Sequence, residues 1–280
     1  MFFLSCIRCA SVFVVIAAPS RGSEPKVPSP KKVKVAGIVL KWIRGNKEAN
    51  FRRAEPLIRQ AAMRGADIAC TTECFLDGYA IADKSIPLDL FRSLGEPIPM
   101  GPYFRRLSAL ADELNVHLVA GMAEADGDFR YNTVVIIGPD GSLLGKYRKQ
   151  KLGHESVRNT AGSESTVFTT SLGKIGVMIC ADRTEPTIVK RFCERDADFL
   201  LCPSGGMFGP VKNDPILQSR SRENGIAIVF VHPAEFLVTG PKGEIRDRQL
   251  LGDRLLVVGD EVDSAADSKG LFFTEMTSER

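Results

Sequence analysis

The sequence predicts an α/β fold, a single mixed domain in which helices flank the sheets. Apolar, β-branched runs of strand length alternate with segments of helical periodicity along most of the chain. No internal repeat, long linker or second composition divides it. Its 280 residues are 44% hydrophobic and 25% charged, ordinary for a chain that builds one large core.

The elements follow in order. Residues 33-VKVAGIVL-40 read as a strand, 47-KEANFRRAEPLIRQAAMRG-65 as a helix stopped by glycine, and 67-DIACTTE-73 as a strand entering a loop. Next come a helix over 101-GPYFRRLSALADELN-115 and a strand over 117-HLVAGMAE-124. The stretch 131-YNTVVIIGPDGSLLGKYRK-149 reads as two strands joined by a turn at Pro139, Asp140 and Gly141. A strand within 174-KIGVMICADRTEP-186 is followed by a helix over 186-PTIVKRFCERD-196 and a strand over 198-DFLLCPS-204. A helix around 214-DPILQSRSREN-224 and strands over 226-IAIVFVH-232 and 254-RLLVVGDEV-262 complete the pattern. The domain is therefore expected over residues 33–262, with 263–280 a polar, weakly patterned tail.

The first residues differ in kind. Arg8 precedes the apolar run 9-CASVFVVIAA-18, and the small residues Ala18 and Ser20 form a cleavage-like site. Residues 1–20 are expected to be a signal peptide, since about ten apolar residues are too few to span a bilayer comfortably. Residues 21–32, rich in proline, read as a flexible tether. On this reading the protein is exported, periplasmic or secreted, with no stable membrane association once the leader is removed. Without cleavage it would be membrane-anchored, and without a true leader cytoplasmic.

The net charge of +3 comes from 37 basic and 34 acidic residues that are interspersed, so no basic face for nucleic acid is implied. The expected partners are small molecules and copies of the same chain. Beyond the leader stand Cys70, Cys74, Cys180, Cys193 and Cys202, an odd number, so at least one thiol stays free or pairs between chains. Neither paired-cysteine nor histidine spacing suits zinc, and no metal is expected.

Three strand ends carry chemistry. Cys180 sits where an apolar strand passes into charged residues, and in α/β folds such ends are presented to ligands. A thiol with an ordinary pKa of about 8.5 needs a base or a nearby cation to act as a nucleophile. His232 lies inside an apolar strand and suits a core role. Glu73 closes one strand and Lys149 another, so acid, amine and thiol can converge if those strands share one edge.

These residues, quoted as 73-ECFLDGY-79, 147-YRK-149 and 179-ICAD-182, resemble the signatures of the nitrilase superfamily of carbon-nitrogen hydrolases, in the family's order. The segments 155-ESVRNTAG-162 and 218-QSRSREN-224 resemble two further family motifs. The resemblance spans roughly residues 33–262. It implies a four-layer α-β-β-α sandwich, a homodimer or larger homo-oligomer, and no cofactor. It further implies Cys180 as nucleophile, Glu73 as general base, Lys149 with the Ala181 N–H as oxyanion donors, and Glu155 as a group that positions Lys149 or the water. The implied activity is hydrolysis of a small amide or N-carbamoyl compound through a thioester. An acyl- or amidotransferase using the same thioester, or a non-catalytic binder on the same fold, stay open as alternatives.

The chain departs from the family after the nucleophile, with Ala181 in place of an aromatic residue and Thr187 in place of a glutamate. Nitrilases typically carry Cys-Trp-Glu here, so Cys180-Ala181-Asp182 points to an amide and not a nitrile. Arg183 is either an anchor for a substrate carboxylate or an ordinary surface or helix-start residue. The glycine-rich loop 203-PSGGMFGPVKND-214, with Met207 and Phe208, is expected to border the pocket.

Overall fold

The computed structural model describes residues 31–40, 42–206, 209–251 and 270–278. The expected signal peptide, most of the tether, the strand expected over 254–262, and Met207 with Phe208 lie outside these residues.

Two six-stranded sheets form the centre. The first contains β1 (Lys31–Ile38), β2 (Ile68–Thr71), β3 (His117–Asp126), β4 (Phe129–Ile137), β5 (Leu143–Arg148) and β12 (Leu271–Ser278), in the order β12-β1-β2-β3-β4-β5. The second contains β6 (Val167–Thr170), β7 (Gly173–Val177), β8 (Phe199–Pro203), β9 (Ala227–His232), β10 (Glu235–Thr239) and β11 (Ile245–Leu250), in the order β11-β10-β9-β8-β7-β6. Each sheet is built on a parallel trio, β1-β2-β3 in one and β7-β8-β9 in the other, with antiparallel strands outside it.

The period of two in β1 sets the layers. Val33 and Val35 enter the core between the sheets, whereas Ala36 and Ile38 face the helices α1 (Lys47–Met63) and α3 (Pro102–Leu114). Gly37 falls on the inter-sheet side, where an added methyl would stand 2.4 Å from the Phe236 ring, so glycine is what lets the two sheets close there. On the far side, Ile188, Val189 and Phe192 of α4 (Pro186–Cys193) and Leu217 of α5 (Pro210–Asn224) cover the second sheet. The result is the α-β-β-α sandwich.

Several boundaries differ from the sequence expectation. The tail over 263–280 is in part a strand: β12 pairs antiparallel with β1 from Lys31↔Ser278 to Ile38↔Leu271. Its residues LFFTEMTS carry little apolar length of their own. In place, Leu271 and Met276 are buried, Phe272 stacks on Phe236 at 5.8 Å, and β1 supplies the ladder. Lys31 and Lys32, placed in the tether from sequence, are the first residues of β1. Helix α5 begins at Pro210, after Gly209, and takes up the second half of the expected glycine-rich loop. The short helix α2 (Leu88–Ser93) and the strands β6, β10 and β11 were not expected from sequence.

Candidate active site

The site lies where the carboxyl ends of β2, β5, β7 and β8 meet. Glu73 stands two residues beyond β2, in a turn made sharp by left-handed backbone at Cys74 (φ 45°) and Tyr79 (φ 53°). Its N–H donates to the Ser204 carbonyl at 3.2 Å, tying the ends of the two sheets together. Lys149 follows β5 directly, and its N–H donates to the Asn132 carbonyl of β4 at 2.9 Å. Glu155 sits in a 3₁₀ turn over Gly153–Val157.

All three charged groups are buried, at 0% exposure for Glu73 and Glu155 and 2% for Lys149. Lys149 Nζ donates to Glu73 Oε1 at 2.6 Å and to Glu155 Oε1. Asn132 Nδ2 donates to Glu73 Oε1 at 2.7 Å and to Glu155 Oε2 at 3.0 Å, and the Tyr79 hydroxyl reaches Glu155 Oε1 at 3.2 Å. Glu73 Oε2 has no partner. A buried carboxylate oxygen left open is the expected state of a base that waits for a proton. Burial pushes the Glu73 carboxyl above its ordinary range, while Lys149 pulls it back. For Lys149 burial acts against the ammonium, but the charges of Glu73, Cys180 and Glu155 outweigh it and hold the amine firmly protonated.

Cys180 lies in a 3₁₀ turn over Cys180–Thr184, three residues past the end of β7, and has left-handed backbone (φ 46°). Such a conformation costs a β-carbon residue roughly 1–3 kcal/mol, and it turns the side chain off the sheet toward the site. Sγ donates to the Gly205 carbonyl at 3.4 Å. The same glycine borders Glu73, since a methyl added to it would stand 3.0 Å from Glu73 Oε2 and 2.9 Å from the Trp42 ring. The open oxygen of Glu73 and the thiol of Cys180 therefore meet at Gly205. Burial and the Glu73 charge push the thiol up, whereas Lys149 and Arg183 pull it down. The N–H of Ala181 precedes the first hydrogen bond of the turn, Asp182 N to Ile179 O at 2.9 Å, so it stays available to an incoming oxygen.

Asp182 locks the turn to the strand that carries the lysine. Its Oδ1 accepts from the N–H of Gln150 (3.1 Å) and Lys151 (2.7 Å), and its Oδ2 from Ile179 N–H (2.9 Å) and the Tyr147 hydroxyl (2.8 Å). Burial pushes this carboxyl up to about 6 in spite of those donors. In Asp182→Asn a donor amide replaces one acceptor oxygen, leaving the Ile179 or the Lys151 N–H unpaired. We expect this to lower stability by about 1–3 kcal/mol and kcat by roughly 10- to 100-fold, since displacements near 1 Å carry such costs. Urea denaturation and initial rates test this, and a variant matching the parent in both would remove Asp182 from the positioning role.

The remaining residues fall as follows. Arg183 is only 2% exposed, which excludes a surface role. Its Nη1 donates to Cys180 Sγ at 3.5 Å and its Nη2 to Asn213 Oδ1 at 2.6 Å. Trp42 stacks on Tyr79 at 5.3 Å and donates to Thr72 Oγ1 at 3.2 Å, forming an aromatic wall beside the carboxylates. His232 is buried, its Nδ1 accepting from Ala234 N–H, and burial pushes it down to about 4. Cys70, Cys74, Cys180, Cys193 and Cys202 are all unpaired. Among the described residues no three histidine, cysteine or carboxylate groups are gathered to hold a metal ion. Sequence reasoning missed Asn132, Asp182, Gly205 and Asn213 as site residues. Each carried a signal: Asn132 as an amide set in an apolar strand where such residues are depleted, Asp182 within 179-ICAD-182, and Gly205 and Asn213 within the loop expected to border the pocket.

Comparison with known proteins places the chain in a family. The family model described as carbon-nitrogen hydrolase matches residues 34–251. The omega-amidase NIT2 of Xenopus tropicalis is 32% identical over 203 residues, 67% of this chain and 70% of the relative. A nitrilase of Pyrococcus abyssi is 33% identical over 174 residues, 61% and 64% of the two chains. The crystal structure of Saccharomyces cerevisiae Nit3, a member of branch 10 of the nitrilase superfamily, superposes with a TM-score of 0.73 at 27% identity, covering 91% of this chain and 93% of that one.

Proposed function

The chain belongs to the carbon-nitrogen hydrolase family, and from that premise we propose that it is an amidase whose catalytic set is Glu73, Lys149 and Cys180, supported by Glu155. The observation that carries this assignment is the buried Lys149 ammonium held between Glu73 and Glu155, with the open Glu73 oxygen and the Cys180 thiol both against Gly205.

Each step has a group suited to it. Glu73 Oε2 takes the thiol proton, Sγ bonds to the amide carbon, and the carbonyl π pair moves onto oxygen. Two of the three Lys149 donors are held by the carboxylates, so the third is left for that oxygen, beside the Ala181 N–H. Preorganised donors of this kind contribute about 3–4 kcal/mol each. Protonated Glu73 then gives its proton to the departing nitrogen, the C–N bond breaks, and ammonia or an amine leaves a thioester. A water whose proton passes to Glu73 attacks the thioester, and the acid and the thiol are restored.

The substrate class is a small primary amide or N-carbamoyl compound. Support comes from Cys180-Ala181-Asp182, which lacks the Trp-Glu pair typical of nitrilases, and from the omega-amidase relatives. A panel of primary amides, N-carbamoyl amino acids and nitriles, assayed for ammonia release, tests it. Amides or carbamoyl compounds are expected to exceed matched nitriles at least tenfold in kcat/KM, the order one lost transition-state interaction brings. A preference for nitriles would overturn the assignment.

A further inference from the structure

We propose that Arg183 is a catalytic residue, the resident cation that receives the Cys180 thiolate. Arg183 is buried, and among the described residues it forms no ion pair. Its Nη1 reaches Sγ at 3.5 Å, its Nη2 is fixed by Asn213 at 2.6 Å, its Cζ lies 5.4 Å from the Phe230 ring centroid, and its Nε has no partner. A buried guanidinium without a carboxylate is costly unless some other anion answers it. The group in contact that can become an anion is the thiol.

The acids behind Arg183 do not take that place. Asp214, in α5, pairs with Arg248 at 2.8 Å. Glu235, in β10, is buried with both oxygens unpartnered, and burial and Asp214 push it up to about 8, which favours its uncharged form. His232, in β9, is neutral. On the other side of Sγ stand Glu73, Glu155 and Lys149. With a neutral thiol the two carboxylates balance Lys149 and Arg183. When the proton leaves Sγ for Glu73 Oε2, the S–H bonding pair stays on sulfur. The negative charge thus moves from Glu73, beside Lys149, to Sγ, beside Arg183. The transfer carries charge from one fixed cation to another and leaves the site neutral throughout, which lowers its cost in a low-dielectric interior.

This role competes with the carboxylate anchor that the sequence left open for Arg183. Each Nη already has one donor engaged, by the thiol or by Asn213, so a substrate carboxylate would have to share the guanidinium with the sulfur.

The turnover part of this inference rests on the proposed hydrolysis, whereas thiol reactivity needs no substrate and separates the two. The experiment is the pH dependence of Cys180 alkylation by iodoacetamide in the full chain, with Cys180→Ser as the blank for the other thiols. An opposite charge at this range shifts a pKa by about 1–3 units. In Arg183→Met, with the fold checked by circular dichroism, the midpoint should rise by at least about one pH unit. That corresponds to roughly tenfold slower labelling at pH 7. Arg183→Lys should recover part of the rate, and hydrolysis of neutral and anionic amides should fall together in kcat. Should Arg183→Met not fold, Asn213→Ala, which frees the guanidinium, should raise the midpoint by a smaller, measurable amount. An unchanged labelling profile in a folded variant overturns the proposal, as does a KM increase confined to carboxylate-bearing amides, which would make Arg183 the anchor.

Discussion

Replacing Cys180 by alanine is expected to abolish amide hydrolysis while leaving the fold in place. The side chain is 8% exposed and its main polar contacts are weak sulfur ones, to the Gly205 carbonyl and from Arg183. Alanine carries the same β-carbon, so the left-handed backbone at this position becomes no more strained, and the lost sulfur packing costs about 1 kcal/mol. Chemistry has no such reserve, because the thioester cannot form. Deleting a covalent nucleophile typically costs 10⁴-fold or more in kcat, roughly. Ammonia release measured beside the circular-dichroism melting curve decides the matter. Residual activity above about one part in a hundred would remove Cys180 from the nucleophile role, being far more than such a deletion normally leaves.

Lys149→Met is expected to damage both rate and stability. The variant keeps side-chain length but removes the cation between Glu73 and Glu155, and leaves two buried carboxyl groups with the neutral donors Asn132, Tyr79 and Asn159 alone. Removing one partner of a buried ion pair costs about 3–5 kcal/mol. The oxyanion loses its charged donor in the same step, so kcat should fall at least about 10³-fold. The pH dependence has a definite sign. Without the cation Glu73, already pushed up by burial, keeps a proton in the folded chain that the unfolded chain releases near the ordinary carboxyl pKa. A group raised in the folded state loses its stabilising contribution as pH rises from the unfolded towards the folded value. The deficit against the parent should therefore widen from pH 5 to pH 8 in urea denaturation. A constant deficit, or near-normal turnover, would show that Lys149 does not neutralise this pair.

The legible parts of the chain were those whose pattern is local. The strands β1, β3, β4, β8 and β9 and the helices α1 and α3 carry apolar periods that burial merely completes. Strand β11, IRDRQL, is almost wholly exposed and charged, and exists because β10 supplies its partner groups. Strand β10 follows β9 after two residues, so in sequence the pair reads as one apolar run with a proline in it. In the site, Glu73, Lys149 and Cys180 were visible as strand-end residues of unusual chemistry. Arg183 and Asp182 were placed beside Cys180, but their contacts were not visible. A guanidinium three residues after a thiol reads as a substrate anchor or a helix-start residue until Asn213, thirty positions away, holds it against the sulfur.

The sequence by itself determined which side chains are present at the strand ends and that those strands belong to one α/β domain, because side-chain periodicity is a property of neighbours along the chain. The tertiary structure alone decided that Glu73 and Lys149, 76 positions apart, touch, that Asn132 bridges Glu73 and Glu155, and that β12 closes the first sheet. Those outcomes depend on strand order and register, which are set by how two sheets bury their facing surfaces together and leave no trace in the spacing of residues along the chain.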